Sequence, residues 1–253
     1  NQDEVQMRKK SAQEKLDTIS LQVKGFEPIS VIPFASFVYF CDPENFYTND
    51  SQNTPEDVDN FFEKNKIPSK LIVLKPWDSV DLTKPLEQDR MERDKNIMHW
   101  VNLLNECAPH TGNEKKVSIE KVKESYELFR RKVFKQFLIF QSLEERFGFI
   151  APITFYLHDL DVNAVLSYRD GWKTEKGCKK KCDISLSAHT LQFVLMNEYG
   201  VNTTQVNGKF ERISDRGDVV FVRHFTSQEW MKMGYGLSHP FATLKMLAGI
   251  YFY

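Results

Sequence analysis

Residues 41–49, Cys41-Asp42-Pro43-Glu44-Asn45-Phe46-Tyr47-Thr48-Asn49, place a thiol, two carboxylates and several amides and alcohols directly after an apolar run. In α/β proteins, metal ligands and substrate contacts gather in this way at the carboxyl ends of parallel strands. In that chemistry Asp42 would ligate or bridge a metal, Glu44 would act as acid or base, and Asn45 and Asn49 would hold a substrate. The same residues also suit a surface loop in which Asp42 caps a turn before Pro43, and spacing alone leaves both readings open. Other reactive residues are sparser. Cys178 and Cys182 flank three lysines without the Cys-x2-Cys spacing of zinc sites, and read as a solvated loop. His158, Asp159 and Asp161 read as a polar hairpin turn. His189 and His224 read as ordinary partly buried histidines, with no adjacent nucleophile and orienting acid. The sequons at Asn49 and Asn202 read as chance triplets.

Composition bounds what these residues can serve. The 253 residues are 41% apolar and 13% aromatic, enough core for one large domain or two ordinary ones. No run approaches the roughly 18–20 apolar residues of a membrane span. The start, NQDEVQMRKK, has neither an apolar signal core nor an initiator methionine, so the chain is expected to begin inside a longer protein. A net charge of -1 argues against a dedicated nucleic-acid binder. Residues 1–112 carry 13 basic against 19 acidic side chains and residues 113–253 carry 21 against 16, an opposition expected of two segments that dock on each other and weak evidence for any external partner. Four cysteines are too few for a disulfide framework, and a cytoplasmic setting is expected.

The elements that must position these groups follow from periodicity and capping. Residues 5–24 predict a solvated helix with Leu16, Ile19 and Val23 inward, ended by Gly25. PISVIPFASFVYF predicts a strand covered on both faces around Phe37, Val38, Tyr39 and Phe40. Thr54-Pro55-Glu56-Asp57 is a helix start, with Val58, Phe61 and Phe62 inward, and KLIVLKP predicts a strand closed by Pro76. Strand, helix and strand imply a parallel α/β layer. A charged helix over 87–107 centres on Met91, Ile97, Met98 and Trp100. APHTGNEKK then divides the chain into domains 1–112 and 113–253. In the second, one long helix over 117–147 carries Val122, Tyr126, Phe129, Val133, Phe137 and Phe140. APITFYLHDLD and NAVLSYRDG predict an antiparallel pair, CDISLS a third strand, AHTLQFVLMNEYG a helix ended by Gly200, VVFVRHF a strand, and HPFATLKMLAGIYF a last helix. The fold class is thus α/β followed by an α+β domain with an antiparallel sheet.

PFASFVYFCDPENFY, NTPEDVDNF and LKPWDSVDL, behind a helix with Lys9 and Lys10 near its start, resemble the later part of metallo-β-lactamase-fold proteins of the CMP-N-acetylneuraminate hydroxylase type. The likeness covers roughly residues 8–85 and is carried most by Pro33-Phe34-Ala35, Pro43, Tyr47, Pro76 and Asp81-Leu82. It implies the tail of a metallo-β-lactamase-like sheet. Asp42, where the family typically has a histidine, would lie at a cleft for divalent zinc or iron, and Glu44, Asn45, Tyr47 and Asn49 would face a small anionic substrate such as a sugar nucleotide. The family's HxHxDH motif is absent, since His99, His110, His158, His189, His224 and His239 stand singly. The resemblance therefore implies the carboxyl-terminal portion of a metal-dependent hydrolase or hydroxylase, with an upstream domain of the same protein as partner and no catalysis or metal in the fragment alone. Trp77 stands where the family's turn usually has glycine.

CDISLSAHTLQFVLMNEYG followed by TQVNGKFERIS is similar to the sterol-carrier-protein type of fold. That likeness implies a glycine-containing hairpin and an apolar tunnel lined by Phe193, Met196, Phe210, Met231, Met233 and Phe241. A stripe of these residue types also serves as plain core. It supports an alternative function, a non-catalytic module holding a lipid or other apolar ligand. A third expectation is homo-oligomerisation through the exposed edge of an incomplete sheet.

Overall fold

A computed structural model of the chain describes residues 2–34, 37–108, 116–234, 240, 241 and 245. The chain divides into two units, Asn1–Thr111 and Gly112–Tyr253. In the first, α1 (Gln2–Phe26) is a mostly solvated helix that buries Leu16 and Val23. Two short parallel strands follow, β1 (Ser30–Val31) and, after α2 (Pro55–Lys64), β2 (Lys70–Leu71), with Ser30 opposite Lys70. The start of α2 is set locally. The Thr54 hydroxyl accepts from Asp57 N at 3.2 Å, the Asp57 carboxylate accepts from Thr54 N at 2.8 Å, and Pro55 opens the first turn. In α3 (Arg90–Glu106), Arg90 and Arg93 clamp the buried Asp59 of α2 at 3.0 Å each. Leu16, Val58, Phe62, Leu71, Val73 and Ile97 form the core of this unit.

The first strand is much shorter than its apolar run suggests. It is confined to Ser30–Val31, with Phe34 and Val38 exposed. Pro33 has no N–H to give a ladder. Beyond it the Asn49 amide takes both backbone groups of Phe40, accepting from its N–H at 2.9 Å and donating to its carbonyl at 2.8 Å. The Gln88 amide does the same for Val73, at 2.9 Å in each direction. Ile72 N donates to Val31 O, so Val73 faces away from β1, and the amide occupies the outer side of β2. Met91 and Met98, expected on the inner face of α3, are exposed.

The second unit runs α4 (Ile119–Gln136), α5 (Leu138–Phe147), β3 (Ile153–Leu157), β4 (Val162–Ser167), β5 (Gly171–Lys176), β6 (Ile184–Leu186), α6 (Ala188–Met196), α7 (Gly200–Asn207), β7 (Glu211–Arg212) and α8 (Gly217–Lys232). Its sheet has the order β5-β4-β3-β6-β7. The expected β3–β4 antiparallel pair is present, but β6 runs parallel to β3, so the sheet is mixed rather than antiparallel. The cause is a crossing. After β5 the chain passes over the face of the β3–β4 hairpin opposite the core and arrives on the far side of β3. Asn163, 1% exposed, holds the crossing by accepting from Cys178 N at 2.9 Å and donating to Cys178 O at 3.1 Å. Gly177 passes so close to Asp161 that a Cβ would collide with its backbone. Asp183 closes the crossing, its N–H donating to Thr154 O at 2.8 Å and its carboxylate accepting from Thr154 N at 3.0 Å.

On the other face Ile153, Phe155, Leu157 and Leu166 share one core with Phe129 and Val133 of α4 and with Phe221 and Phe225 of α8. Four local expectations change here. The long helix splits at Phe137 (φ -127°, ψ 69°), whose ring meets Trp230 of α8 edge-on at 6.0 Å. Gly200 opens α7 instead of ending α6, and Gly208, at φ 63°, closes that helix where a hairpin was expected. VVFVRHF is part of α8. Val220, Phe221, His224, Phe225 and Gln228 are buried at helical spacing while Val219 and Val222 are exposed. A short apolar run satisfies either period, and here packing selected the helical one. The side chain of Phe140 and most of the expected last helix lie outside the described residues.

The candidate functional site: an acidic loop and a cleft between helices

The acidic loop folds on itself. Asp42 Oδ1 accepts from Glu44 N at 2.9 Å and Asp42 O from Asn45 N at 3.1 Å, the turn its residue types favour. Asn45 is buried, and its carbonyl accepts from the Thr48 hydroxyl at 2.7 Å. Asn49 is engaged with Phe40. Tyr47 is half exposed, with the Arg8 guanidinium 4.9 Å above its ring, and Arg8 pairs with Asp50 at 2.6 Å. Asp42, Glu44, Asn45, Tyr47 and Asn49 therefore share one loop. Among the described residues no group of three or more His, Cys, Asp or Glu side chains could hold a metal ion. No described helix is long and apolar enough to cross a membrane.

The six apolar residues of the second unit separate. Phe210 packs on Phe221 at 5.8 Å as part of the core, Phe193 is half-buried, and Met233 and Phe241 are exposed. Met196 and Met231 come together at a cleft of about 250 Å³ between α4, α6 and α8. Phe129 and Leu195 are its buried apolar wall, Leu128 and Met196 its exposed apolar lip, and the lining also takes in the exposed Lys132 and the largely buried Lys232. Both cations are already paired, Lys132 with Glu198 at 3.8 Å and Lys232 with Glu229 at 2.7 Å.

One polar group lines this cleft from a buried position. The Gln228 side chain is 4% exposed, and its Nε2 donates to Val194 O at 2.7 Å. That carbonyl requires the donor end of the amide, which fixes the orientation and leaves Gln228 Oε1 buried with no hydrogen-bond partner. Nothing local in the sequence marks Gln228. Its only signal is position, four residues after His224 and three before Met231 on one helical face.

One turn back, the fully buried His224 is stacked between Tyr168, at 4.7 Å and 25°, and Tyr126, at 6.2 Å and 28°. Burial pushes its pKa down from the usual 6.5 to about 3, against a smaller opposing pull from the Ala151 backbone. Burial pushes both tyrosines upward. The Tyr168 hydroxyl bridges His224 O and Ser227 Oγ at 2.8 Å each. No protein-family model, no curated protein and no solved structure matches the chain.

Proposed function

We propose that the second unit is a binding module holding a small amphipathic molecule, apolar over most of its length and carrying one neutral hydrogen-bond donor, in the cleft between α4, α6 and α8. The observation that carries this reading is the unpartnered Gln228 Oε1 beside an apolar wall. A buried acceptor left without a donor costs about 1–3 kcal/mol; Oε1 is itself closed to solvent, so a ligand hydroxyl or amide N–H relieves that cost once the Gln228 side chain turns Oε1 into the cleft. Each lysine of the lining stands beside a carboxylate, Lys132 by Glu198 and Lys232 by Glu229, an arrangement that favours an uncharged head over a carboxylate. Straight-chain alkanols are the first probes. On titration the methyl signals of Met196 and Met231 should shift saturably, Gln228→Leu should weaken binding about tenfold, and Met231→Trp should abolish it by filling the cleft. Absence of a saturable shift, or equal affinity in Gln228→Leu, would overturn the proposal.

The first unit supports a second reading. Lys75-Pro76-Trp77-Asp78 forms a type II turn in which Asp78 N donates to Lys75 O at 3.1 Å and Trp77 sits at φ 72°. This is the backbone that favours the glycine of the metallo-β-lactamase resemblance. On that reading the unit is the carboxyl-terminal part of a metal-dependent hydrolase or hydroxylase acting on a small anionic, sugar-nucleotide-like substrate, with Asp42 near the metal and an upstream domain supplying the other ligands. The described residues do not by themselves fit a zinc or iron ion, and no catalytic step follows from them. Turnover of such a substrate by the 253-residue chain alone would refute this division of labour.

A further inference from the structure

Among the described residues the two sheets end in four edge strands, and three of these edges are guarded. The Gln88 amide fills the outer side of β2 at Val73. β5 carries the exposed Lys173, Glu175 and Lys176, and β7 is the exposed charged pair Glu211-Arg212. Charges and filled rungs of this kind keep a strand edge from pairing with another chain. The edge of β1, Ser30-Val31, has neither. Its bonds to β2 place its remaining backbone groups. Lys70 N donates to Ile29 O at 2.9 Å and Ile72 N to Val31 O at 3.0 Å. A trans peptide sets its C=O and N–H on opposite sides, so Ser30 N–H and Ile32 N–H both point away from β2. The parallel register turns Val31 N–H toward β2, which sends Ser30 O outward as well. Ile32 precedes proline and is held extended, so its carbonyl follows the same alternation. The missing N–H of Pro33 then falls on the β2 side, where it ends the ladder without touching the outer edge. Among the described residues none of the four outward groups has a hydrogen-bond partner. Residues 30–34 form one wall of a groove of about 460 Å³ whose other wall is Leu16, Ile19, Val23 and Phe26 of α1. Consecutive residues of an extended segment alternate between faces, so a groove lined by all five runs along the edge, and α1 leaves that edge uncovered.

We propose that the outer edge of β1 is an interface between two copies of this chain, paired antiparallel about a two-fold axis at Val31. The four outward groups are self-complementary in that arrangement. Ser30 N–H and C=O of one copy meet Ile32 C=O and N–H of the other, and the axis repeats the exchange to give four hydrogen bonds. This match is what favours a second copy, since the edge itself supplies both halves of it. The exposed Phe26, Ile29 and Phe34 flank the edge, so the same axis brings apolar surface to both sides and opposes no like charges along the strands. Assembly stops at two chains, because pairing consumes the open edge of each copy and Gln88 closes the far side of each β2. The product is a four-stranded sheet of order β2-β1-β1-β2, whereas an isolated pair of short strands is marginal by itself.

The test is sedimentation equilibrium of the intact chain from micromolar to submillimolar concentration, with amide hydrogen exchange measured at both ends of that range. The expected result is a monomer–dimer equilibrium with no larger species, and exchange at Ser30 and Ile32 that slows as the dimer forms. Ile32→Pro removes one outward N–H from each copy, two of the four bonds, and none from the β1–β2 ladder. It should weaken dimerisation at least about tenfold and leave the urea midpoint of the monomer unchanged. The proposal is overturned by a chain that stays monomeric throughout, by species beyond the dimer, by a dimer in which Ser30 and Ile32 exchange at monomer rates, or by undiminished dimerisation of folded Ile32→Pro. Exchange in the unsubstituted chain decides the question even if the variant does not fold.

Discussion

The buried His224 makes the second unit acid-sensitive by an amount that can be worked from its surroundings. Stacked between Tyr168 and Tyr126, its imidazole stays neutral in the folded chain down to about pH 3, whereas in the unfolded chain it takes up a proton near pH 6.5. Between those values the unfolded state binds a proton that the folded state refuses, so stability falls as pH falls, by about 1.4 kcal/mol per unit. Full stability is present above pH 6.5, and by about pH 4.5 this one residue should have removed roughly 3 kcal/mol of a total that is ordinarily 5–15 kcal/mol. Glu144 acts in the opposite sense, since burial raises its pKa and its contribution grows as pH falls. Comparison with His224→Phe, which keeps an aromatic ring in the stack and cannot titrate, subtracts Glu144 and every other common group. Urea unfolding of both chains at pH 7 and about pH 4.5 should show the unsubstituted chain losing roughly 3 kcal/mol more than the variant. Equal losses, or an imidazole that titrates near 6.5 in the folded chain by NMR, would refute the reasoning.

Two further outcomes follow from backbone geometry. Trp77→Gly should stabilise the first unit by about 1 kcal/mol, because it removes a bulky side chain from a left-handed position; a lower urea midpoint for the variant would contradict the turn assignment. Gly177→Ala should destabilise the second unit by about 2–4 kcal/mol, since its Cβ meets the Asp161 backbone and the crossing cannot yield without breaking the Asn163–Cys178 pair. Unchanged thermal unfolding would show that the crossing is loose.

Where structure was set by neighbours in sequence, the sequence revealed it. Thr54, Pro55 and Asp57 announce α2 because a capping box is local, and β3 announces itself through strict alternation of buried and half-buried positions, whereas the second face of β4 is covered by the crossing. Where a distant group decided the outcome, the pattern misled. Phe37-Val38-Tyr39-Phe40 looks like a buried strand, but Pro33 and the Asn49 amide remove the backbone partners it would need. β5, GWKTEK, went unread because an edge strand with one solvated face carries little apolar signal. Of the candidate cleft, Met196 and Met231 were legible as apolar residues, whereas Gln228 acquires its meaning from the Val194 carbonyl across the helix interface.

Three amides, Asn49 at Phe40, Gln88 at Val73 and Asn163 at Cys178, each engage the N–H and carbonyl of a single residue. In effect each is one rung of a strand, supplied by a side chain. At Val73 this matters for how copies of the chain meet. An incoming chain that tried to template itself onto the outer side of β2 would find that rung filled and would have to evict Gln88 first. Polymerisation through this edge is thereby hindered at the cost of one glutamine, and the two-residue strand remains a terminus.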